Sequence, residues 1–148
     1  MEVLHRFIGS VKALEMWFHS AHHLTKGMAF IADHDILYDK IYTFFGEYFD
    51  AIVEKLMAIT GSEEIACPKK VAMYSGHVIN QIPSSANKDA REIGEIAFSI
   101  IIEHLKEIEA AYDEFESYEV MTKGMDDLLA SNYSELETFV YFLQRKLK

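Results

Sequence analysis

The chain of 148 residues contains one cysteine, two prolines and seven glycines. The single Cys67 cannot form a disulfide within the chain, so we expect a reducing compartment, the cytoplasm. Proline and glycine mark turns, and so few of them exclude a β-sandwich or barrel, which needs a turn signal about every 8–12 residues. No apolar run approaches the ~18 residues of a membrane span, and we expect no signal peptide. These absences predict one soluble, all-α domain over residues 1–148.

Basic residues are also scarce, because 14 Lys and Arg stand against 24 Asp and Glu and give a formal net charge of −10. Half of the residues are hydrophobic, which is enough for a sizeable core. The negative charge opposes nucleic-acid binding, which depends on neutralising phosphates. It suits a protein that binds cations.

Apolar residues recur at helical spacing in four long segments. The predicted helices run from about Glu2 to Leu24, from about Asp33 to Thr60, from Pro83-Ser84-Ser85 to about Phe115, and from between Tyr118 and Gly124 to Leu147. Asp33 and the serines are candidate N-caps, and Gly61 is a good residue to end the second helix. Pro68 is suited to begin a short helix within the connection 61–84, over about 69–77. The pattern predicts a four-helix bundle with one long connection.

Histidine is concentrated around the connection between the first two predicted helices, where His19, His22, His23 and His34 fall within sixteen residues. Such a cluster is typical either of amphipathic helix ends or of a metal site. The Glu-x-x-His motif that builds a metal centre inside one bundle occurs only at Glu2-Val-Leu-His5. A di-iron site within a single bundle therefore lacks its ligands.

Four carboxylates lie on the second helix, and at about 100° per residue they share one face. They are Asp35, Asp39, Asp50 and Glu54. Charges on a helix are most often a solvated stripe. This helix is the most apolar in the chain and its acidic face includes no lysine, so the pattern favours a bound cation.

Two of these carboxylates cannot bind one ion from the same chain. Asp39 and Asp50 are eleven residues apart, which is ~16 Å along an α-helix. A second, antiparallel copy of the helix would bring Asp39 of one chain to Asp50 and Glu54 of the other, with Gly46 near the crossing point. The spacing thus predicts a site made twice in a two-fold dimer.

In its histidines and in the carboxylates of the second helix, the chain resembles the Dps family, the mini-ferritins. The family pattern is His, eleven residues, His, three residues, Asp, ten residues, Asp, three residues, Glu. Read without gaps, it falls on His23, Asp35, Asp39, Asp50 and Glu54, with an Asp in place of the second His. A one-residue insertion early in the second helix would instead place the two family histidines at His22 and His34, and both registers stay open.

The resemblance implies a ferritin-like four-helix bundle with a short extra helix in the connection between its second and third helices. It implies Fe(II) oxidation at inter-subunit ferroxidase sites, with hydrogen peroxide as the usual oxidant, and storage of ferric iron in a hollow, dodecameric shell. The chain lacks the Lys-rich extension of DNA-binding members, so we expect no direct DNA binding. The alternatives are a non-catalytic helical-bundle interaction protein and a His-based metal-binding helical protein using His19, His22 or His23, and His104.

Overall fold

The computed structural model describes all 148 residues and contains no β-strand. Its helices are α1 (Glu2–Leu24), the short α2 (Phe30–Ala32), α3 (Asp39–Thr60), α4 (Pro68–Ile79), α5 (Ala90–Ser117) and α6 (Lys123–Leu147). A π-helical segment, Asp33–Tyr38, joins α2 to α3, and a 3₁₀ turn, Glu63–Ala66, precedes α4. The prediction of an all-α fold is confirmed. No helix combines the length and the hydropathy needed to cross a lipid bilayer.

Several predicted boundaries agree with the structure. Gly61 ends α3 in the left-handed conformation, with φ of 67°, which glycine adopts without steric cost. Pro68 occupies the first turn of α4, where its missing N–H would have no helical partner in any case.

Two predicted N-caps are wrong. Asp33 lies inside a continuous helical stretch, and its backbone N–H bonds to the Ala29 carbonyl. The third long helix begins at Ala90 rather than near Ser85, because Asp89 and Glu92 form a reciprocal capping box there. Ser85 is buried and its hydroxyl contacts the Ser20 hydroxyl at 2.6 Å.

The four long helices enclose one continuous apolar core. α1 packs against α3 and also contacts α5, α3 contacts α6, and α5 packs along α6. Aromatic rings fill the centre, where Phe18 stacks on Phe45 with ring centroids 5.6 Å apart. α1 and α3 also lie side by side at the surface, where the Lys12 ammonium of α1 is 4.9 Å from the Phe49 ring centroid of α3.

The short helix α4 lies directly on α1. The two backbones approach most closely at Gly9, where an added Cβ would stand 2.5 Å from the Tyr74 Cβ and 2.9 Å from the Ser75 nitrogen. Only glycine permits this approach. The His5 ring stacks on Tyr74, and its Nε2 donates to the Glu64 carbonyl at 2.8 Å. His5 therefore holds the segment after α3 against α1, and the Glu2–His5 motif makes no metal site.

Candidate metal centre

The π-helical segment Asp33–Tyr38 places one more residue in a helical turn than an α-helix does. The Asp39 backbone N–H donates to the carbonyl of His34, five residues earlier. A short π-segment inside an α-helix is often found at a functional site. The segment is fixed at its start, because the buried Asp33 carboxylate contacts the Lys146 ammonium at 2.7 Å and the Thr25 hydroxyl at 3.4 Å.

His22 at the end of α1 and His34 in the π-helical segment form a reciprocal pair. The His22 Nδ1 donates to the His34 carbonyl at 2.7 Å, and the His34 Nδ1 donates to the His22 carbonyl at 2.6 Å. The two rings stack with centroids 3.7 Å apart, and Phe30 stacks on the other face of the pair at 5.1 Å from His34. Because each Nδ1 faces a carbonyl oxygen, the Nε2 of each ring is the nitrogen left to bind a metal.

Two further imidazoles adjoin this pair. His19 and His23 are exposed on α1, with ring centroids 4.7 Å apart. The Tyr42 ring of α3 stacks on His19 at 4.3 Å. Desolvation by the neighbouring groups lowers the pKa of His23, and repulsion from His19, His22 and His34 lowers it further.

Asp39 begins α3, three residues before Tyr42. It is half-buried, and its Oδ1 accepts a hydrogen bond from the Tyr42 hydroxyl at 3.0 Å. That bond raises the pKa of Tyr42. Tyr42 thus touches both Asp39 and His19 and links the carboxylate to the imidazole cluster.

Of the other three carboxylates, Asp35 lies beside His34 and lines the same groove as Asp39, whereas Asp50 and Glu54 lie further along α3. Asp35 is exposed, with Oδ1 3.6 Å from the His34 Nε2, and it opens onto a groove between α3 and α6 that Glu47 and Glu135 also line. Asp50 and Glu54 are exposed further along α3. Asp50 is eleven residues beyond Asp39, ~16 Å along the helix axis.

Two expectations from the helix pattern are wrong. The π-helical segment contains Asp35 and changes its register relative to α3, so the four carboxylates do not follow the spacing of a single α-helix. Asp50 and Glu54 face solvent in a single chain, where like charges repel only weakly, so no cation is needed to offset their repulsion. A Cβ at Gly46 would lie 3.3 Å from the Glu15 carboxylate of α1, so α1 borders this position within one chain.

His104 lies apart from the imidazole cluster. It is buried against Phe7 and Phe45 in the core, and its Nδ1 contacts the Glu107 carboxylate at 2.9 Å. The same carboxylate oxygen accepts from the Ser10 hydroxyl at 2.6 Å. A metal site that combines His104 with His19, His22 or His23 is therefore wrong. Sequence inspection missed the polar group of Ser10, His104 and Glu107, although the i, i+3 spacing of its α5 members could have indicated it.

Within one chain, no three His, Cys, Asp or Glu side chains are arranged to hold a metal ion. The structure pairs His22 with His34. Asp39 lies beside Tyr42, which stacks on His19, while Asp50 and Glu54 lie further along α3. No protein-family model matches the chain, and no curated protein is significantly similar to it. Function is therefore inferred from the arrangement of these side chains.

Proposed function

We propose that the protein is a Dps-like mini-ferritin that oxidises Fe(II) at sites shared between two subunits and stores ferric iron in a hollow shell. In this proposal the four long helices form a ferritin-like bundle and α4 is the short helix of its long connection. The observation that carries the proposal is the reciprocal His22–His34 pair, together with the π-helical segment that follows His34.

The π-helical segment supports one of the two possible ligand registers. Eleven residues separate His22 from His34, ten separate Asp39 from Asp50, and three separate Asp50 from Glu54, as in the family pattern. Only the interval from His34 to Asp39 is longer, by one residue, and the backbone bond that widens the helix joins these two residues. A π-turn accommodates one added residue without breaking the helix. We therefore favour His22 and His34 over His23 and Asp35 as ligands.

The proposed centre needs two chains. Asp39 and Asp50 stand too far apart along α3 to bind one ion, and a two-fold partner would supply Asp50 and Glu54 to the His22, His34 and Asp39 of the first chain. A closed two-fold contact makes this site twice. Asp50 and Glu54 are exposed and Asp39 is half-buried, so all three carboxylates are accessible to a partner chain.

Iron is the substrate of this site. Two Fe(II) ions each lose one electron, and hydrogen peroxide gains both electrons and two protons to give two water molecules. Imidazole nitrogen and carboxylate oxygen are suitable donors for Fe(II), and the negative carboxylates stabilise Fe(III) more strongly than Fe(II) because its charge is higher. The carboxylates of this chain would therefore favour the oxidised product.

Exposed apolar side chains support assembly into a larger particle. Met28, Ile31 and Ile36 lie on the surface between α1 and α3, and Tyr141 and Phe142 are exposed near the end of α6. Ile36 and Phe142 line the same groove. Exposed apolar groups gathered in this way are typical of protein–protein contacts. The cytoplasm, where iron and peroxide must be handled together, is the compartment that this function and the single cysteine favour.

Stopped-flow measurement of Fe(II) oxidation by hydrogen peroxide, combined with light scattering, tests the proposal. We expect a particle many times larger than 17 kDa and rapid oxidation above the protein-free rate. Asp50→Ala and Glu54→Ala should each abolish the rapid phase and leave the particle intact, whereas Asp113→Ala, an exposed carboxylate on α5, should change neither. A monomer without activity would instead indicate a non-catalytic helical interaction protein.

A further inference from the structure

His19 and His23 form a pair of imidazoles that the proposed iron centre does not use. They are one turn apart on α1, and both face solvent. Their ring centroids are 4.7 Å apart and their planes are tilted by 33°. The Tyr42 ring stacks on His19 at 4.3 Å and limits its rotation.

We propose that His19 and His23 together bind a late first-row divalent cation of the Zn²⁺ or Cu²⁺ type. Two imidazole nitrogens at ~2.0–2.1 Å from a tetrahedral ion stand about 3.4 Å from each other. Rings whose centroids are 4.7 Å apart can reach that separation by small side-chain rotations. Two histidines at i and i+4 on one helix are a known metal-binding arrangement.

The donor set determines which ion the pair selects. Imidazole suits Zn²⁺, Cu²⁺ and Ni²⁺, whereas carboxylate and water suit Mg²⁺, Ca²⁺ and Mn²⁺. No third His, Cys, Asp or Glu of the chain completes a site with this pair. It therefore binds as a two-nitrogen chelate whose other positions take water, and the affinity order of the metals follows Cu²⁺ above Zn²⁺.

The pair lies close to the candidate iron ligands. Neither His19 nor His23 is an iron ligand when His22 and His34 are taken as the two ligand histidines. The His23 and His22 ring centroids are 5.1 Å apart, and His22 points its Nδ1 at the His34 carbonyl. Calling His23 free of iron rests on the proposed function. The proposed iron centre also offers imidazole and carboxylate donors to Zn²⁺, so the titration is repeated in Asp50→Ala protein, which lacks that centre and keeps the pair. Zn²⁺ binding that persists there supports the pair whatever the outcome for iron.

Calorimetric titration of the full-length protein with Zn²⁺ alone tests the inference. His19→Gln and His23→Gln should each weaken Zn²⁺ binding by at least about tenfold, since losing only an outer-shell partner often costs 10–100-fold. His77→Gln removes an exposed histidine on α4, away from the cluster, and should leave the affinity unchanged. His34→Gln should also leave the Zn²⁺ site of the pair in place.

A second measurement counts the imidazole ligands directly. Electron paramagnetic resonance of the wild-type protein with one equivalent of Cu²⁺ should show coupling to two imidazole nitrogens, and His19→Gln should reduce it to one. Unchanged Zn²⁺ affinity in correctly folded His19→Gln, or complete loss of Zn²⁺ binding in His34→Gln, would overturn the proposal. So would a wild-type Cu²⁺ spectrum with a single nitrogen.

Discussion

Replacing Gly9 by alanine tests how α4 is held on α1. The added Cβ would lie 2.5 Å from the Tyr74 Cβ and 2.8 Å from the Tyr74 carbonyl carbon, whereas packed carbon atoms stand about 3.5–4.0 Å apart. α4 must therefore move by about 1 Å, because the backbone it would meet cannot rotate away as a side chain does. Overpacking of this kind costs about 1–3 kcal/mol. We take the upper part of that range because backbone atoms are involved.

The helix itself gains from the substitution, since alanine is about 1 kcal/mol better than glycine in a helix interior. The expected net loss in free energy of unfolding is then about 2 kcal/mol, or a fall in Tm of about 4–8 °C for a chain of this size. Thermal and urea unfolding at fixed protein concentration measure it, and Gly76→Ala is the matched control. Gly76 lies in α4 with no neighbouring atom within 4 Å of an added Cβ, so its substitution should raise stability by about 1 kcal/mol. A Gly9→Ala protein as stable as the wild type would refute the close crossing.

Three further predictions concern the cluster and the segment that positions it. His34→Gln should slow Fe(II) oxidation at least about tenfold and Asp35→Asn much less; equal losses would favour the ungapped register. NMR titration should place the pKa of His23 below the ordinary 6.5, and since the unfolded chain then binds protons more readily, stability should fall as the pH drops through about 6.5. Lys146→Met leaves the buried Asp33 carboxylate without its cation, and urea unfolding should show a loss of about 3 kcal/mol; no loss would mean that this ion pair does not anchor the π-helical segment.

Most of the fold could be predicted from the sequence because its signals are local. Hydrophobic periodicity located the four long helices, and the residues that mark their ends, such as Pro68 and Gly61, act through their own backbone preferences. Asp89 was missed as an N-cap because Ser84 and Ser85 are equally good capping residues by type. Ser85 is instead buried, and its hydroxyl contacts the Ser20 hydroxyl, so the helix begins after Asp89.

The candidate site was harder to predict because its geometry depends on a backbone irregularity. The π-helical segment has no composition of its own, and a helical-wheel calculation assumes that it is absent. Once it is present, His34 pairs with His22, although sequence spacing alone left His23 as an equal candidate. The burial of His104 beside Glu107 likewise depends on which faces of α1 and α5 meet, which no local pattern specifies.

The proposed iron site is shared between two chains, and a mixture of two inactive variants tests this sharing. Asp39→Ala and Asp50→Ala chains each lack one proposed ligand in every site of their own dimers. In a dimer of one chain of each kind, one site has Asp39 from one chain with Asp50 and Glu54 from the other, and the second site lacks both aspartates. Random co-assembly in equal amounts should therefore restore about one quarter of the wild-type rate of Fe(II) oxidation. No recovery in particles shown to contain both chains would contradict a shared site.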